Sequence, residues 1–300
     1  MFLKKDSSNL GILGSIFRWS VLLVFVGYFV VPLIWLLIAP SKTSSDMFQT
    51  ATPLGFGSVE RVIQSWKNVT SYQNGEMLLW FENSVKYSLL SLLGSLVISI
   101  PAGYMLAIKR FPGRTTLLWL TLITMLLPAS ALVLPLFLEL NVVHLINTQW
   151  AVILPAWFFP FGVYLTYIYY ASSLPPELLD ASKVDGCNEA QSFWHVALPL
   201  ATPLLGLLSF ISFTANWNNF FLPYVMLNDD TLYNLPLGVQ TMLSSTAALM
   251  PTFNPNPLSV PYQQADAAMA GLIMVVPVVI VFLFAQRYVV SGAFTGSVKG

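Results

Sequence analysis

The sequence contains few charged residues. Asp, Glu, Lys and Arg make up 9% of its 300 residues, whereas 56% are hydrophobic and the mean hydropathy is +0.71. Because an average soluble domain carries about a quarter charged residues, this chain has too little polar surface to cover itself in water. We expect membrane lipid to surround most of it. The formal net charge of zero argues against nucleic acid as a partner.

Residues and motifs for disulfides, metal binding, ATP binding or catalysis are also scarce. Cys187 is the only cysteine, which excludes an internal disulfide and a cysteine-based metal cluster. His144 and His195 lack the spacing of metal ligands, so we expect no metal site. No Gly-x-x-x-x-Gly-Lys-Ser/Thr phosphate loop occurs, so the chain does not hydrolyse ATP by itself. We predict no catalytic residues and no enzymatic activity.

Long apolar runs dominate the sequence instead. A bilayer core of about 30 Å requires roughly 20 apolar residues in a helix. The pattern predicts an all-α polytopic membrane protein with six transmembrane helices, at 19–39, 85–108, 117–138, 150–171, 200–227 and 267–285. These spans contain no Asp, Glu, Lys or Arg once Lys86 is placed among the headgroups. That disfavours an ion-coupled secondary carrier and a membrane-embedded enzyme, which needs paired ionisable residues at a common depth.

Basic residues predict the orientation of the spans. Lys and Arg cluster before the first span and in the turn after the second, so we expect both termini in the cytoplasm of a bacterium, with the spans in its inner membrane. The predicted segments are a cytoplasmic N-terminal segment (1–18), a first span (19–39), an external loop (40–84), a core with the other spans (85–290) and a cytoplasmic tail (291–300). The core includes a cytoplasmic loop (172–199) and a second external loop (228–266). Most of the second loop is expected to be ordered but irregular, because it contains four prolines.

The polar segment 172–199 carries the signals of two short helices. Pro175 and Pro176 suit a helix start, and Gly186 can adopt the left-handed conformation that ends a helix. Asn188 and Gln191 are spaced as a capping pair for a second helix, which is expected to run through Phe193 and to stop at Leu198-Pro199. In the first helix we expect Leu178, Ala181 and Ser182 on one face, where small side chains allow a partner to approach.

This segment resembles the signature loop of membrane subunits of binding-protein-dependent ABC importers. That pattern is Glu-Ala-Ala, three residues, Gly, nine residues, an aliphatic residue, one residue and Leu-Pro. The chain has Asp180-Ala181-Ser182, Gly186, Val196 and Leu198-Pro199 at this spacing, with Asp for Glu and Ser for the second Ala. Further motifs resemble MalG-like permease subunits of carbohydrate importers; they are Asn83-Ser84, 111–114, Asn147-Thr148, 213–220 with Pro223, 286–288 and 296–300.

The resemblance implies a type I ABC importer permease fold and several partners. These are a second, MalF-like permease subunit, an ATPase homodimer that binds ATP-Mg, an external solute-binding protein and a carbohydrate substrate. The residues implied to couple to the ATPase are Glu177, Leu178, Asp180, Ala181, Ser182, Asp185, Gly186, Cys187 and Phe193. The tail residues Ser297, Val298, Lys299 and Gly300 are implied to reach the ATPase as well. Loop 228–266 would contact the solute-binding protein, and its part 238–265 would probe the sugar site.

Three amides, Asn216, Asn218 and Asn219, interrupt the fifth predicted span. Amides in hydrocarbon are costly without partners or water. They line a hydrated sugar path, with Trp217 or Phe220 stacking on a sugar ring, or they bond to neighbouring helices; the sequence leaves both readings open. Glu139 is expected only to anchor the membrane interface. An ABC permease for glycerol phosphate or a polyamine is the alternative function, although phosphate recognition normally needs Arg or Lys, which the spans lack.

Overall fold

The computed structural model describes the backbone of residues 7–49, 54–244 and 263–295, with side chains in 14–43, 45–47, 54–244 and 263–288. Within these ranges the regular structure is helical, without strands. The chain divides into two compact units, one of Met1–Tyr72 with Leu243–Ile273 and the other of Gln73–Met242 with Met274–Gly300. The tail residues 297–300, implied to reach the ATPase, lie outside the described residues.

The first unit contains a long lipid-facing helix and two short ones. They are α1 (Ser7–Ile38), α2 (Ser44–Gln49) and α3 (Val59–Thr70), with a 3-10 turn at Ala39–Ser41 after α1. The most apolar 18 residues of Gly14–Ser41 have a mean hydropathy of 2.8, and none of them is buried within the chain. A helix that is apolar on all sides and unburied requires lipid as its solvent.

The second unit holds most of the remaining helices. Those that begin in it are α4 (Glu76–Ile108), α5 (Arg114–Leu126), α6 (Ala129–Val142), α7 (Trp150–Trp157), α8 (Pro160–Ser173), α9 (Pro176–Val184), α10 (Glu189–Ser192), α11 (Leu198–Leu200), α12 (Thr202–Trp217), α13 (Phe221–Met226) and α14 (Leu235–Ser244). A π-helical turn, Phe193–Ala197, joins α10 to α11. The last helix, α15 (Gln264–Thr295), begins in the first unit and belongs to the second from Met274.

The centre of the second unit is α4, which packs against α7, α8 and α12. The side chains on its inner face are small and polar and include five buried serines: Ser84, Ser88, Ser91, Ser95 and Ser99. Small side chains let neighbouring helices approach closely in membranes, and Ser95 Oγ lies 2.9 Å from Ser212 Oγ of α12. A Cβ at Gly103 would lie 2.4 Å from Thr166 Cβ of α8. Only glycine at this position permits that helix crossing.

Among the described residues, four helical stretches are long and apolar enough to cross a membrane, and the number rises to six if each of two sharply bent pairs is one span. The predicted third span, 117–138, coincides with one of these pairs, in which α5 and α6 meet at 107°. Pro128 explains the bend, since proline lacks an N–H and pushes Leu127 into an extended conformation. The fifth predicted span, 200–227, is likewise interrupted after Trp217, where α12 ends.

The second external loop is folded at its start. A 3-10 turn, Asp230–Leu232, leads into α14, whose first five residues are buried. Two motif residues hold this stretch: Asn83 Nδ2 donates to Thr231 O at 2.8 Å, and Asn147 Oδ1 accepts from the backbone N–H of Asn228 at 2.9 Å. The start of this loop is therefore ordered, because apolar residues of α14 pack into the unit, while its four prolines lie outside the described residues.

The stretch 238–265, implied to probe the sugar site, is buried at both described ends. A Cβ on Gly238 would lie 2.1 Å from the indole of Trp80, and Ala265 is fully buried. The two residues that bound the stretch are therefore buried, and this does not test the expectation for the residues between them. For residues 245–262 it falls outside the described residues.

Candidate functional site

The segment 172–199, hereafter the coupling loop, has the helix–bend–helix form that the sequence predicts. Its first helix is α9, and Gly186 follows with a φ of +85°, in the left-handed region where side chains are strained. Asn188 and Gln191 form a reciprocal capping box: Gln191 N donates to Asn188 Oδ1 at 2.9 Å, and Asn188 N donates to Gln191 Oε1 at 2.8 Å. Both local predictions are confirmed.

The predicted stop at Leu198-Pro199 is wrong. Helical structure continues through the π turn and α11 to Leu200, and it breaks only at Ala201, whose φ and ψ are −82° and 7°. Pro199 lies inside this continuous helical stretch, just after the π-helical turn and one residue before its end. Beyond Ala201 the chain turns by 76° into α12.

Ser182 does not lie on the exposed face predicted for it. It is 5% exposed, and its Oγ lies 2.7 Å from Ser192 Oγ of α10 while donating to Leu179 O at 2.7 Å. The sequence could not reveal this arrangement, because the contact depends on how α10 folds back against α9. Ser182 therefore joins the two short helices and offers no surface to a partner.

Of the other residues predicted to couple to the ATPase, six are exposed and two are half-buried. Exposed residues are Glu177, Leu178, Asp180, Ala181, Asp185 and Gly186. Apolar side chains are part of this surface, because Leu178 is 42% exposed and Val184, which sequence reasoning missed, is 88% exposed. Cys187 is half-buried. Phe193 is also half-buried, and its ring centroid lies 5.0 Å from that of Tyr104 of α4.

Several contacts tie the coupling loop to the membrane helices of its unit. Leu179 is buried in one cluster with Tyr104 and Tyr170, and Tyr170 Oη donates to Ala197 O at 3.2 Å. Glu189, at the start of α10, forms an ion pair with Lys109 at the end of α4. The hydrogen bond from Lys109 holds the pKa of the Glu189 carboxyl below its usual value. These contacts attach the loop to α4 and α8.

A cavity of about 770 Å³ lies among α5, α6, α7, α12 and α13. Its lining is mainly apolar and includes the aromatic rings of Phe158, Phe159 and Phe221. Its polar lining residues are Thr124, Ser130, Glu139, Ser212, Asn216 and Asn219. None of the lining residues is Lys, Arg or His. Aromatic faces beside a few polar groups suit the apolar faces and hydroxyls of a sugar.

The structure separates the residues predicted to form the substrate path. Asn216 and Asn219 line the cavity, while Asn218 is exposed elsewhere. Asn216 Nδ2 donates to Ser212 O at 2.8 Å within α12, and the side-chain Oδ1 of Asn219 accepts from Leu222 N at 3.4 Å. Lining the cavity and bonding within the protein are thus compatible for these two amides.

Trp217 cannot stack on a sugar in this structure. It is fully buried, its ring stacks on Phe213 and meets the edge of Phe81, and its Nε1 donates to Met274 O at 2.9 Å. The prediction for Trp217 is wrong, because Phe213 of the same helix and Phe81 of α4 pack against the indole, which is fully buried. Phe220 is half-buried and stacks on Tyr224, with centroids 5.5 Å apart.

Glu139 and the phenylalanines of the cavity were missed as site residues. Glu139 was assigned only to the membrane interface, whereas α6 places it in the cavity wall. The available signal was Pro128, since a proline within an apolar run marks a bend that can open a cavity. The aromatic residues gave no separate signal, because aromatic side chains are common throughout the apolar runs.

Known proteins resemble this chain along most of its length. Residues 99–294 match the family described as Binding-protein-dependent transport system inner membrane component. The chain is 34% identical over 280 residues to the arabinooligosaccharides transport system permease protein AraQ of Halalkalibacterium halodurans, with 93% of each chain covered. It is 28% identical to the sn-glycerol-3-phosphate transport system permease protein UgpE of Yersinia pestis, with 93% of this chain and 95% of the relative covered.

The fold is also found in a solved structure. A chain in the crystal structure of a bacterial ABC transporter involved in the import of the acidic polysaccharide alginate matches with a TM-score of 0.77. The match covers 96% of this chain and 99% of the other at 21% identity, so it supports the fold alone. The six-span, type I ABC importer permease assignment agrees with it. The chain therefore belongs to the family of inner membrane components of binding-protein-dependent transport systems, which are multi-pass transport subunits and not enzymes.

Proposed function

We propose that this chain is the permease subunit of an ATP-driven ABC importer that moves a carbohydrate, an oligosaccharide in the simplest case, across the cytoplasmic membrane. The similarity to AraQ, an arabinooligosaccharides transport system permease protein, supports this substrate class. The observation that carries the proposal is the preformed coupling loop, fastened at its base and exposed on its outer face. A transporter that received energy by another route would not need such an element.

In this proposal the coupling loop binds an ATPase homodimer that holds ATP-Mg. Leu178, Ala181 and Val184 provide an apolar contact area, and Glu177 and Asp180 lie at its rim. The nucleotide-driven movement passes through Phe193 and the Glu189–Lys109 ion pair to α4. The tail residues Ser297–Gly300 are proposed to contact the same ATPase. Cys187 and Asp185 flank Gly186 in the bend between the two helices.

The remaining partners complete a binding-protein-dependent importer. A second, MalF-like permease pairs with this chain, and an external solute-binding protein delivers the substrate to loop 228–266. Both termini lie in the cytoplasm, because basic residues cluster there. Alternation between inward- and outward-facing states then moves the sugar without any covalent chemistry in this chain.

The substrate path is proposed to pass the cavity beside Asn216 and Asn219. These amides can exchange hydrogen bonds with sugar hydroxyls, and Phe158 or Phe221 can contact a ring face. Phe220 and Asn218 have a weaker case, because neither lines the cavity. The alternative substrate, glycerol phosphate, is favoured by the similarity to UgpE. It is disfavoured by a lining that contains a carboxylate and no cation.

Site-directed cross-linking tests the coupling assignment. In a Cys187→Ser background, Ala181→Cys presents a thiol on the exposed face, and Ser182→Cys presents a nearly isosteric thiol that is buried between the helices. A maleimide–benzophenone reagent is attached in membranes that contain the complete complex, and adducts are identified by mass spectrometry. We expect an ATPase adduct from position 181 and little labelling at 182. An active complex that gives no ATPase adduct from 181 contradicts the proposal.

A further inference from the structure

The external segment contains a helix with an exposed apolar stripe. In α3, Val59, Ile63 and Trp66 are 59%, 50% and 49% exposed. Their spacing of four and three residues places them on one side of the helix, hereafter the α3 stripe. The adjoining exposed face is polar and consists of Glu60, Gln64 and Lys67. A solvated helix on a protein surface normally turns its apolar side inward, so this arrangement requires another explanation.

The inward side of α3 is held largely by polar contacts. Ser65 is fully buried, and its Oγ donates to Pro40 O at 3.4 Å. Arg61 Nη2 lies 3.3 Å from Asp266 Oδ1, and Asn68 Nδ2 donates to Asp266 Oδ2 at 3.1 Å. Asp266 is 1% exposed, so these bonds satisfy a buried carboxylate. The contacts fix the rotation of α3, and the stripe points away from its unit.

Contacts with two candidate membrane spans also fix the depth of α3 relative to the bilayer. Its leading residues bind the end of α1: Gly57 N donates to Ser41 Oγ at 2.8 Å, and Ser58 N donates to Ser41 O at 2.9 Å. Ser41 ends the candidate span Gly14–Ser41, and Asp266 lies in the first turn of the candidate span Gln264–Tyr288. The helix α3 is thus attached where one membrane span ends and another begins, which is the level of a bilayer surface.

We propose that α3 is an interfacial membrane helix whose stripe contacts lipid at the boundary between headgroups and acyl chains. Leu37, in the last turn of α1, is 62% exposed, so lipid-facing surface already reaches the neighbourhood of α3. Trp66 has the amphipathic ring that favours this depth. Glu60, Gln64 and Lys67 then face water. An interfacial helix needs this division into apolar and polar sides.

Lipid is the occupant that the attachment of α3 favours. The start of α3 is bonded to the end of a span whose most apolar 18 residues are unburied within the chain, and α3 cannot rotate away without breaking its bonds to Ser41 and Asp266. A partner protein on the stripe would have to displace lipid at the end of α1. The inference is independent of the transported solute and of the coupling loop.

Depth-dependent quenching tests this proposal in the assembled transporter. Ile63→Cys and Gln64→Cys are made in a Cys187→Ser background, labelled with bimane and reconstituted as the complete complex in phosphatidylethanolamine–phosphatidylglycerol nanodiscs. A fraction of the lipid carries a nitroxide near the headgroup. Positions 63 and 64 are neighbours, both are exposed, and only position 63 lies in the stripe. Quenching at 63 should be at least about twofold stronger than at 64, because only one side of an interfacial helix enters the lipid.

Either of two other results overturns the proposal. Equal quenching at 63 and 64 means that the stripe has no preferred contact with lipid. Weak quenching at 63, with a blue-shifted emission that appears only when the second permease or the solute-binding protein is present, assigns the stripe to that protein. Uptake by both labelled complexes serves as the check on folding.

Discussion

Substitution of Gly186 separates docking of the coupling loop from folding of the chain. Gly186 has a φ of +85°, and a Cβ built on it meets no atom within 4 Å. Gly113, in the turn before α5, has a φ of +87° and is equally open. Alanine at either position therefore adds the same backbone strain, about 1–2 kcal/mol for a side chain in the left-handed region, and no steric clash within the chain.

Aspartate at either position adds a negative charge to the same backbone strain. Within the chain, Gly186→Asp and Gly113→Asp should lower the free energy of unfolding by similar amounts. At a docked surface, burial of an unpaired carboxylate costs a further 2 kcal/mol or more, by the order of magnitude seen at interface hot spots. That corresponds to about a thirtyfold weaker association with the ATPase. We expect this additional loss for Gly186→Asp only.

The assay measures ATPase copurified with the permease pair and ATP hydrolysis by the complete complex in nanodiscs. Gly186→Asp should retain membrane insertion and thermal stability close to that of Gly113→Asp, while losing most bound ATPase and most hydrolysis. The reasoning fails if Gly186→Asp supports normal hydrolysis. It also fails if both aspartate variants lose ATPase equally, because strain in a cytoplasmic turn would then account for the result.

Two further predictions concern the cavity and the core of the second unit. Asn216→Ala should reduce uptake at subsaturating sugar by roughly threefold to tenfold, the value of about one lost hydrogen bond, whereas Asn218→Ala, outside the cavity, should leave uptake near normal; equal losses would remove Asn216 from the path. Gly103→Ala should destabilise the chain by about 1–3 kcal/mol through overpacking, because its Cβ would lie 2.4 Å from Thr166 Cβ and 2.7 Å from Val163 O. Gly27→Ala, which meets nothing within 4 Å in α1, is the control for unfolding in detergent, and a comparable loss there would contradict the packing explanation.

Short-range signals predicted the coupling loop well. The left-handed Gly186 and the capping box of Asn188 and Gln191 depend on residues within a few positions of one another, so spacing alone identifies them. The inward position of Ser182 depends on contact with Ser192 across the bend. Helix periodicity shows which residues share a face, and it does not show which face another element will cover.

Contacts between residues distant in sequence account for the other differences between the predictions and the structure. Trp217 is removed from the substrate path by a bond to Met274, 57 residues away in sequence. Pro128 marks the bend between α5 and α6, but the apolar composition on both sides gave no measure of its angle, which is 107°. The apolar spacing of Val59, Ile63 and Trp66 was visible as well, but its direction became clear only from the contacts of Arg61 and Asn68 with Asp266.

The contacts within the coupling loop have a consequence for protein engineering. The capping box, the bend at Gly186 and the Ser182–Ser192 pair all lie within 172–199, so its shape is specified by its own residues. Its attachments outside the segment include Leu179 and Phe193 with Tyr104, Ala197 with Tyr170, and Glu189 with Lys109. The loop could therefore be exchanged between related permeases, with Tyr104, Tyr170 and Lys109 carried along, so that one importer binds the ATPase of another.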